Sequence, residues 1–190
     1  VTVPAISAVG FCPHHSKPGD RALAYALRLA RSAELQLNIL LFLTDPFARH
    51  REPPPPPGNA RNRLSVDHER GERLYLEDKL EDYLRVGCRV CEGDEPHELH
   101  RCLSRHEFQA LVLPYPTPDA VFAGVPIEEF AESLVCPTVL VGPSGREEFR
   151  LNGPASLLAD RLHVGTQPWR RLGEARARGA VPAQPSPVGA

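Results

Sequence analysis

The stretch LQLNILLFL, Leu35 to Leu43, constrains the fold more than any other part of this chain. Towards its end it is apolar on both faces, and a strand without a polar face must be covered from both sides. Parallel sheets provide that cover, because the helical crossovers joining their strands pack back onto the sheet. The rest of the chain supplies the alternation such a sheet needs. Val3 to Val9 reads as a short apolar strand. Arg21 to Ala33 carries Leu23, Ala26, Leu27 and Ala30 at the spacing of an amphipathic helix. Pro18 stands just ahead of it, where a missing N–H costs little.

Val66 to Arg85 reads as a second helix, with Leu76, Leu80, Tyr83 and Leu84 on one face and Glu77, Asp78, Lys79, Glu81 and Asp82 on the other. Gly87 is expected at its C′ position. CRVCEG then forms a short strand, and Asp94 caps a third helix with Pro96 in its first turn. ALVLPY from Ala110 is the fourth strand. Ile127, Phe130, Ala131 and Leu134 mark a fourth helix, and PTVLVG from Pro137 is the fifth strand. Strands alternating with helices imply an α/β three-layer sandwich around a five-stranded parallel sheet. One domain over 1–143 is expected, interrupted by a loop at 44–63 that holds five consecutive prolines, Pro53 to Pro57. The bland reading of that loop is a solvated insertion, and the functional one is a docking segment. Beyond Gly142 the periodicity fades. Residues 144–190 are expected to be an extension, largely disordered or with one short helix at PASLLADRL.

A net charge of −2 gives no reason to expect nucleic acid or a membrane surface as partner. Val1 to Gly10 has neither a basic n-region nor a long apolar core, and five cysteines is an odd number. Reduced thiols and a cytoplasmic location are therefore expected. There is no G-x-S-x-G elbow, no P-loop and no convergent acid–base pair, so no enzymatic activity is expected.

Two motifs carry ligand-type residues. CRVCEGDEPHELHRC, Cys88 to Cys102, has the letters of a zinc site. Zinc needs its ligands to converge at about 2.0–2.3 Å. Cys88 and Cys91, three apart on a strand, point to opposite sides of the sheet. Leu99, Cys102, Leu103 and His106 form the buried stripe of the next helix, which leaves His97 and His100 facing solvent. Neither the cysteine pair nor a cysteine–histidine pair converges on this reading, and no metal is expected. The second motif is CPHHSK, Cys12 to Lys17, just after the first strand, where doubly wound sheets bind ligands. His14, His15 and Lys17 could meet an anion there, although a solvated loop is the commoner explanation. A nucleophile pair of Cys12 and His14 lacks an orienting third group.

Three stretches resemble the universal stress protein family. SKPGDRALAYALRLARSAELQLNILLFL is similar to the family's first helix and second strand. GCRVCEGDEPHELHRCLSRHEFQALVLP resembles the third strand, a Gly-Asp turn at Gly93 and Asp94, the third helix and the fourth strand. GVPIEEFAESLVCPTVLVG resembles the last helix and the closing Cys-Pro strand at Cys136 and Pro137, with Gly124 twelve residues ahead of that cysteine. The resemblance covers residues 3 to 143. It implies an adenine nucleotide alpha hydrolase-like sheet of order 3-2-1-4-5 and a homodimer through the strand Thr138 to Val141, whose apolar edge invites such pairing. The C-terminal extension could instead cover that edge. It also implies a regulatory stress-response role through an unknown protein partner.

Some members bind ATP. Their pattern has an Asp at the end of strand one, matched here by Gly10, and G-x2-G-x9-G-[ST] after strand four. Here that loop reads PYPTPDAVFAGV, in which only Gly124 remains, and Val125 replaces the hydroxyl residue. Pro114, Pro116 and Pro118 remove amide donors. No cofactor is expected. If a nucleotide such as ATP does bind, Gly10, Lys17, Gly124 and Val125 are the crevice positions that would meet it.

Overall fold

The computed structural model describes residues 7–42, 45–48, 66, 70–71, 74–80, 82–91, 95–143 and 149–151. The strands are β1 (Ala8–Phe11), β2 (Gln36–Phe42), β3 (Val86–Cys91), β4 (Ala110–Pro114), β5 (Val121–Phe122), β6 (Val125–Pro126), β7 (Thr138–Val141) and β8 (Phe149–Leu151). The helices are α1 (Lys17–Ser32), α2 (helical at 74–80), α3 (Glu95–Ser104) and α4 (Ile127–Ser133). The main sheet runs β3-β2-β1-β4-β7-β8, parallel throughout except for the antiparallel pair β7–β8. With β7 counted as the fifth parallel strand, this is the expected 3-2-1-4-5 order.

Alternation along each strand divides the core in two. Val9, Phe11, Leu37, Ile39, Leu41, Val112 and Val139 face one side, where α1 contributes Leu23, Ala26, Leu27 and Ala30 and α2 contributes Leu76. Ala8, Cys12, Leu40, Phe42, Leu111, Leu113 and Leu140 face the other, against Leu99 and Cys102 of α3 and Ile127, Phe130 and Ala131 of α4. Each of the large side chains contributes about 1.5–3 kcal/mol by leaving water. No helix among the described residues is long and apolar enough to cross a membrane.

The helix ends show why the elements stop where they do. Ser16 caps α1, its hydroxyl oxygen accepting the Gly19 N–H at 3.1 Å, with Pro18 in the first turn. At the other end Leu35 N donates to the Ala30 carbonyl at 2.8 Å and Glu34 N to Arg31 at 3.4 Å, with Glu34 at φ 53°. This is a Schellman motif with glutamate in the usual glycine position. α3 ends in the same way: Glu107 N donates to Cys102 and His106 N to Leu103, both at 3.0 Å, with His106 at φ 56°. His106 was expected in the buried stripe of that helix. It lies past the end of α3 and is exposed.

Gly87 was expected to terminate α2, but it lies inside β3, paired with Asn38 of β2. A Cβ there would stand 2.8 Å from the Asn38 side-chain oxygen, so the glycine serves a close approach. The chain has already left the helix by Asp82, and Leu37 N donates to the Arg85 carbonyl at 2.9 Å. Leu84, expected on the inner face, is 93% exposed for the same reason. α2 is instead tied to α1 by the Asp20 carboxylate, which accepts from Lys79 Nζ and the Tyr75 hydroxyl.

Two readings of the edge at Thr138 to Val141 were open, free or covered by the C-terminal extension, and the covered one holds. β8 pairs along β7 in the register Val139↔Leu151, Leu140↔Arg150 and Val141↔Phe149. The sheet therefore continues beyond the expected boundary at 143, and pairing of β7 with a second copy would require β8 to leave. The polyproline run Pro53 to Pro57, the Gly93–Asp94 turn and the rest of the C-terminal extension lie outside the described residues.

Candidate functional site

From β1 the chain moves to β2 on one side, and it later places β4 on the other. The crevice beyond the carboxyl ends of β1 and β4 is therefore the default ligand position. Aromatic rings line this end of the sheet. The His14 ring meets Phe47 edge-on at 4.9 Å between centroids, and Phe47 meets Phe122 edge-on at 5.3 Å. Phe122 stacks on Phe130 at 4.4 Å and lies 6.1 Å from Phe42. Phe122 is completely buried and Phe47 is buried. Edge-on and offset-stacked geometries of this kind add to the burial of the rings themselves. Two backbone-directed bonds anchor the segment after β2: Phe47 N donates to the Asp45 carboxylate at 2.9 Å and Ala123 N to the Pro46 carbonyl at 2.6 Å.

The segment after β4 is a compact hairpin. Val121 pairs with Pro126 and Phe122 with Val125. Ala123 and Gly124, at φ 52° and 81°, make the two-residue turn between them, the torsions of a type I′ hairpin. Ala120 N donates to the Thr117 carbonyl and Ile127 N to the Ala120 carbonyl, each at 3.0 Å. Together with the Ala123–Pro46 bond, these occupy amides that a phosphate loop would direct at its ligand.

The four predicted crevice residues stand on separate elements: β1, the start of α1, the β5–β6 turn and β6. Gly10 lies within β1, and a Cβ there would meet the Phe108 ring at 2.9 Å, so the aspartate of the ATP-binding pattern has no room without displacing Phe108. Lys17 opens α1 and is exposed. Gly124 is exposed at the hairpin tip, and Val125 is half-buried in β6. Gly124 serves the turn that leads into Val125.

In CPHHSK, Cys12 is fully buried, and burial pushes its thiol pKa above the usual cysteine range. His14 Nδ1 lies 2.8 Å from the Ser16 hydroxyl that caps α1. Burial holds the His14 imidazole below its usual pKa, opposed by the nearby Asp45. The exposed His15 packs on the Tyr75 ring at 4.2 Å. Two hollows lie away from the crevice. One of about 860 Å³ separates α1 from α2, between Leu27, Arg28, Arg31 and Lys79. One of about 530 Å³ is lined by Asn38, Cys88, Arg89 and Glu107.

The Cys88–Cys102 stretch behaves as expected in part. Cys88 is exposed while Cys91 and Cys102 are buried, and His97 and His100 face solvent. Among the described residues no group of three or more His, Cys, Asp or Glu side chains is placed to hold a metal ion. Cys91, at the end of β3, and Cys102, in α3, lie in the same buried cluster.

The parallel order, the helices on both faces and the crevice at the β1/β4 switch point define a doubly wound α/β sandwich of the adenine nucleotide alpha hydrolase-like type. More particularly, the chain has the fold of the universal stress proteins. A universal stress protein solved in complex with cAMP superposes with a TM-score of 0.53 at 15% identity, over 74% of this chain and all of that one. A universal stress protein from Archaeoglobus fulgidus superposes with a TM-score of 0.51 at 10% identity, over 70% of this chain and 92% of that one. No family model and no curated protein sequence matches the chain.

Proposed function

We propose that this chain is a stress-protein-like regulatory module, acting in the cytoplasm through a protein partner and without tight ATP binding. The observation that carries this reading is the hairpin after β4. The Ala123 amide in its turn is committed to Pro46, the flanking Ala120 and Ile127 amides to Thr117 and Ala120, and its one glycine is spent on the turn. Phosphate cradles depend on free backbone N–H groups converging on one point. The buried rings of Phe47 and Phe122 beside it favour apolar packing over a hydrated triphosphate. No catalytic step belongs to this reading. Self-pairing along β7 does not belong to it either, since β8 holds that edge. Equilibrium dialysis of the full chain with labelled ATP should find no saturable binding in the micromolar range, and micromolar binding would overturn the non-nucleotide part.

A second reading, a nucleotide-responsive switch with a divergent loop, is favoured by one observation: a solved protein of the same fold is a complex with cAMP. A ligand that binds only the folded chain raises its stability in proportion to the logarithm of ligand excess. Saturable thermal stabilisation by cAMP, or by ATP with magnesium, would support this reading. A flat melting temperature at millimolar nucleotide would remove it.

A further inference from the structure

The hollow of about 860 Å³ between α1 and α2 lies on the α1 face of the sheet, whereas the rings of Phe47 and Phe122 belong to the other face. Asp20, in the first turn of α1, meets Tyr75 and Lys79. Arg31, in its last turn, meets Asp82 at 3.6 Å, so the two helices run in the same direction. Buried Leu23 and Leu27 give the hollow an apolar floor, widened by the methyl group of the exposed Ala24. Most of the charges around it answer one another: Lys79 is paired with Asp20, and Arg31 with Asp82. About one turn earlier on each helix, Arg28 and Asp78 line the same hollow. Neither has an ion-pair partner among the described residues. Two opposite charges therefore stand on the two helices that bound the hollow, with apolar surface between them and no bond joining them. Arg28 is also held in place, its guanidinium carbon 5.6 Å from the centre of the Tyr25 ring. A guanidinium already resting on a ring loses little freedom when it takes a ligand.

We propose that this hollow binds an apolar amino acid in its zwitterionic form. The carboxylate takes the Arg28 guanidinium, whose planar fork matches it with two N–H bonds. The ammonium takes the Asp78 carboxylate. The side chain lies on Leu23, Ala24 and Leu27 and leaves water there. The volume lies within the range of small-molecule sites, about 300–1,000 Å³, and has room for an aromatic side chain. A ligand with a single charge satisfies one helix only, and a ligand without an apolar part leaves the floor wet. Arg28 and Asp78 are both exposed, so solvent screening sets the affinity in the millimolar range. This proposal does not depend on the nucleotide reading, and neither outcome of the dialysis bears on it.

The test is a titration of the full, isotope-labelled chain with L-phenylalanine, read from its backbone amide resonances. Saturable shifts are expected at Ala24, Leu27, Arg28 and Lys79, around the hollow. N-acetyl-L-phenylalanine, which lacks the ammonium, and L-phenylalanine amide, which lacks the carboxylate, should each bind about three- to fivefold more weakly, the worth of one exposed charge pair. Arg28→Gln should weaken L-phenylalanine by a similar factor and erase its advantage over the amide. Asp78→Asn should erase its advantage over the N-acetyl form. Ala24→Trp fills the hollow from an exposed helical position, and with native circular dichroism it should lose the saturable shifts altogether. Shifts that stay linear through the millimolar range, or that saturate at His14 and Phe47 instead, overturn the proposal. So do equal affinities for the three ligands, an advantage that survives its own substitution, or undiminished binding by Ala24→Trp.

Discussion

Ala123 takes up a left-handed backbone at φ 52°, where a Cβ crowds the carbonyl oxygen. The turn tolerates it because Gly124 supplies the second positive torsion. Relief of that crowding is worth about 1–2 kcal/mol, and the extra freedom of glycine in the unfolded chain takes back about 0.4–1. Ala123→Gly should therefore stabilise the protein by about 0.5–1 kcal/mol, read as a higher urea midpoint at unchanged slope. His14 gives a pH prediction with a definite sign. Its folded pKa lies below the ordinary 6.5, so the unfolded chain takes up that proton first as pH falls. The His14 contribution to stability is full above 6.5 and declines as pH drops towards the folded value. His14→Phe, which keeps a ring against Phe47, should lose that part of the decline. Equal slopes for both proteins in urea titrations below pH 6.5 would contradict the assignment.

Among the elements, α1 is the best defined by its own sequence. Ser16, Pro18 and Asp20 compose its first turn, and the Schellman bonds through Glu34 and Leu35 close it. Ser16→Ala removes the acceptor for Gly19 N and the hydroxyl beside His14, and should cost about 1 kcal/mol by thermal or urea unfolding. Ser16→Asp, which keeps an acceptor, should restore most of that loss. The core faces of α1 and α4 were legible in advance, since Leu23, Ala26, Leu27 and Ala30, and Ile127, Phe130, Ala131 and Leu134, are all buried. The end of α2 was not. Gly87 looks like a helix stop in sequence, but it sits in β3 opposite Asn38, where the Asn38 and Gln36 side chains crowd the space a Cβ would take. The β5–β6 hairpin was missed as well, because two-residue strands are too short to display a period.

For the whole molecule, the edge strands govern how it meets other chains. β8 closes the β7 edge through backbone bonds, with Leu140 opposite Arg150. Proline at position 150 cannot donate to that ladder. Arg150→Pro should free β7 and give a concentration-dependent increase in mass by light scattering, as exposed apolar edges do. A variant that keeps the parent's mass at every concentration would show that β8 does not guard this edge.

The sequence by itself determined the layers and strand alternation of this protein. Apolar period is a local property, and it states which face of each strand or helix must leave water. It also held the departures from the nucleotide pattern, at Gly10, Gly124, Val125 and the prolines around them. Only the tertiary structure decided that Phe108 fills the space beside Gly10 and that residues 149–151 extend the sheet. Each of these joins residues whose separation in the chain carries no periodic signal, so nothing short of the packed core could bring them together.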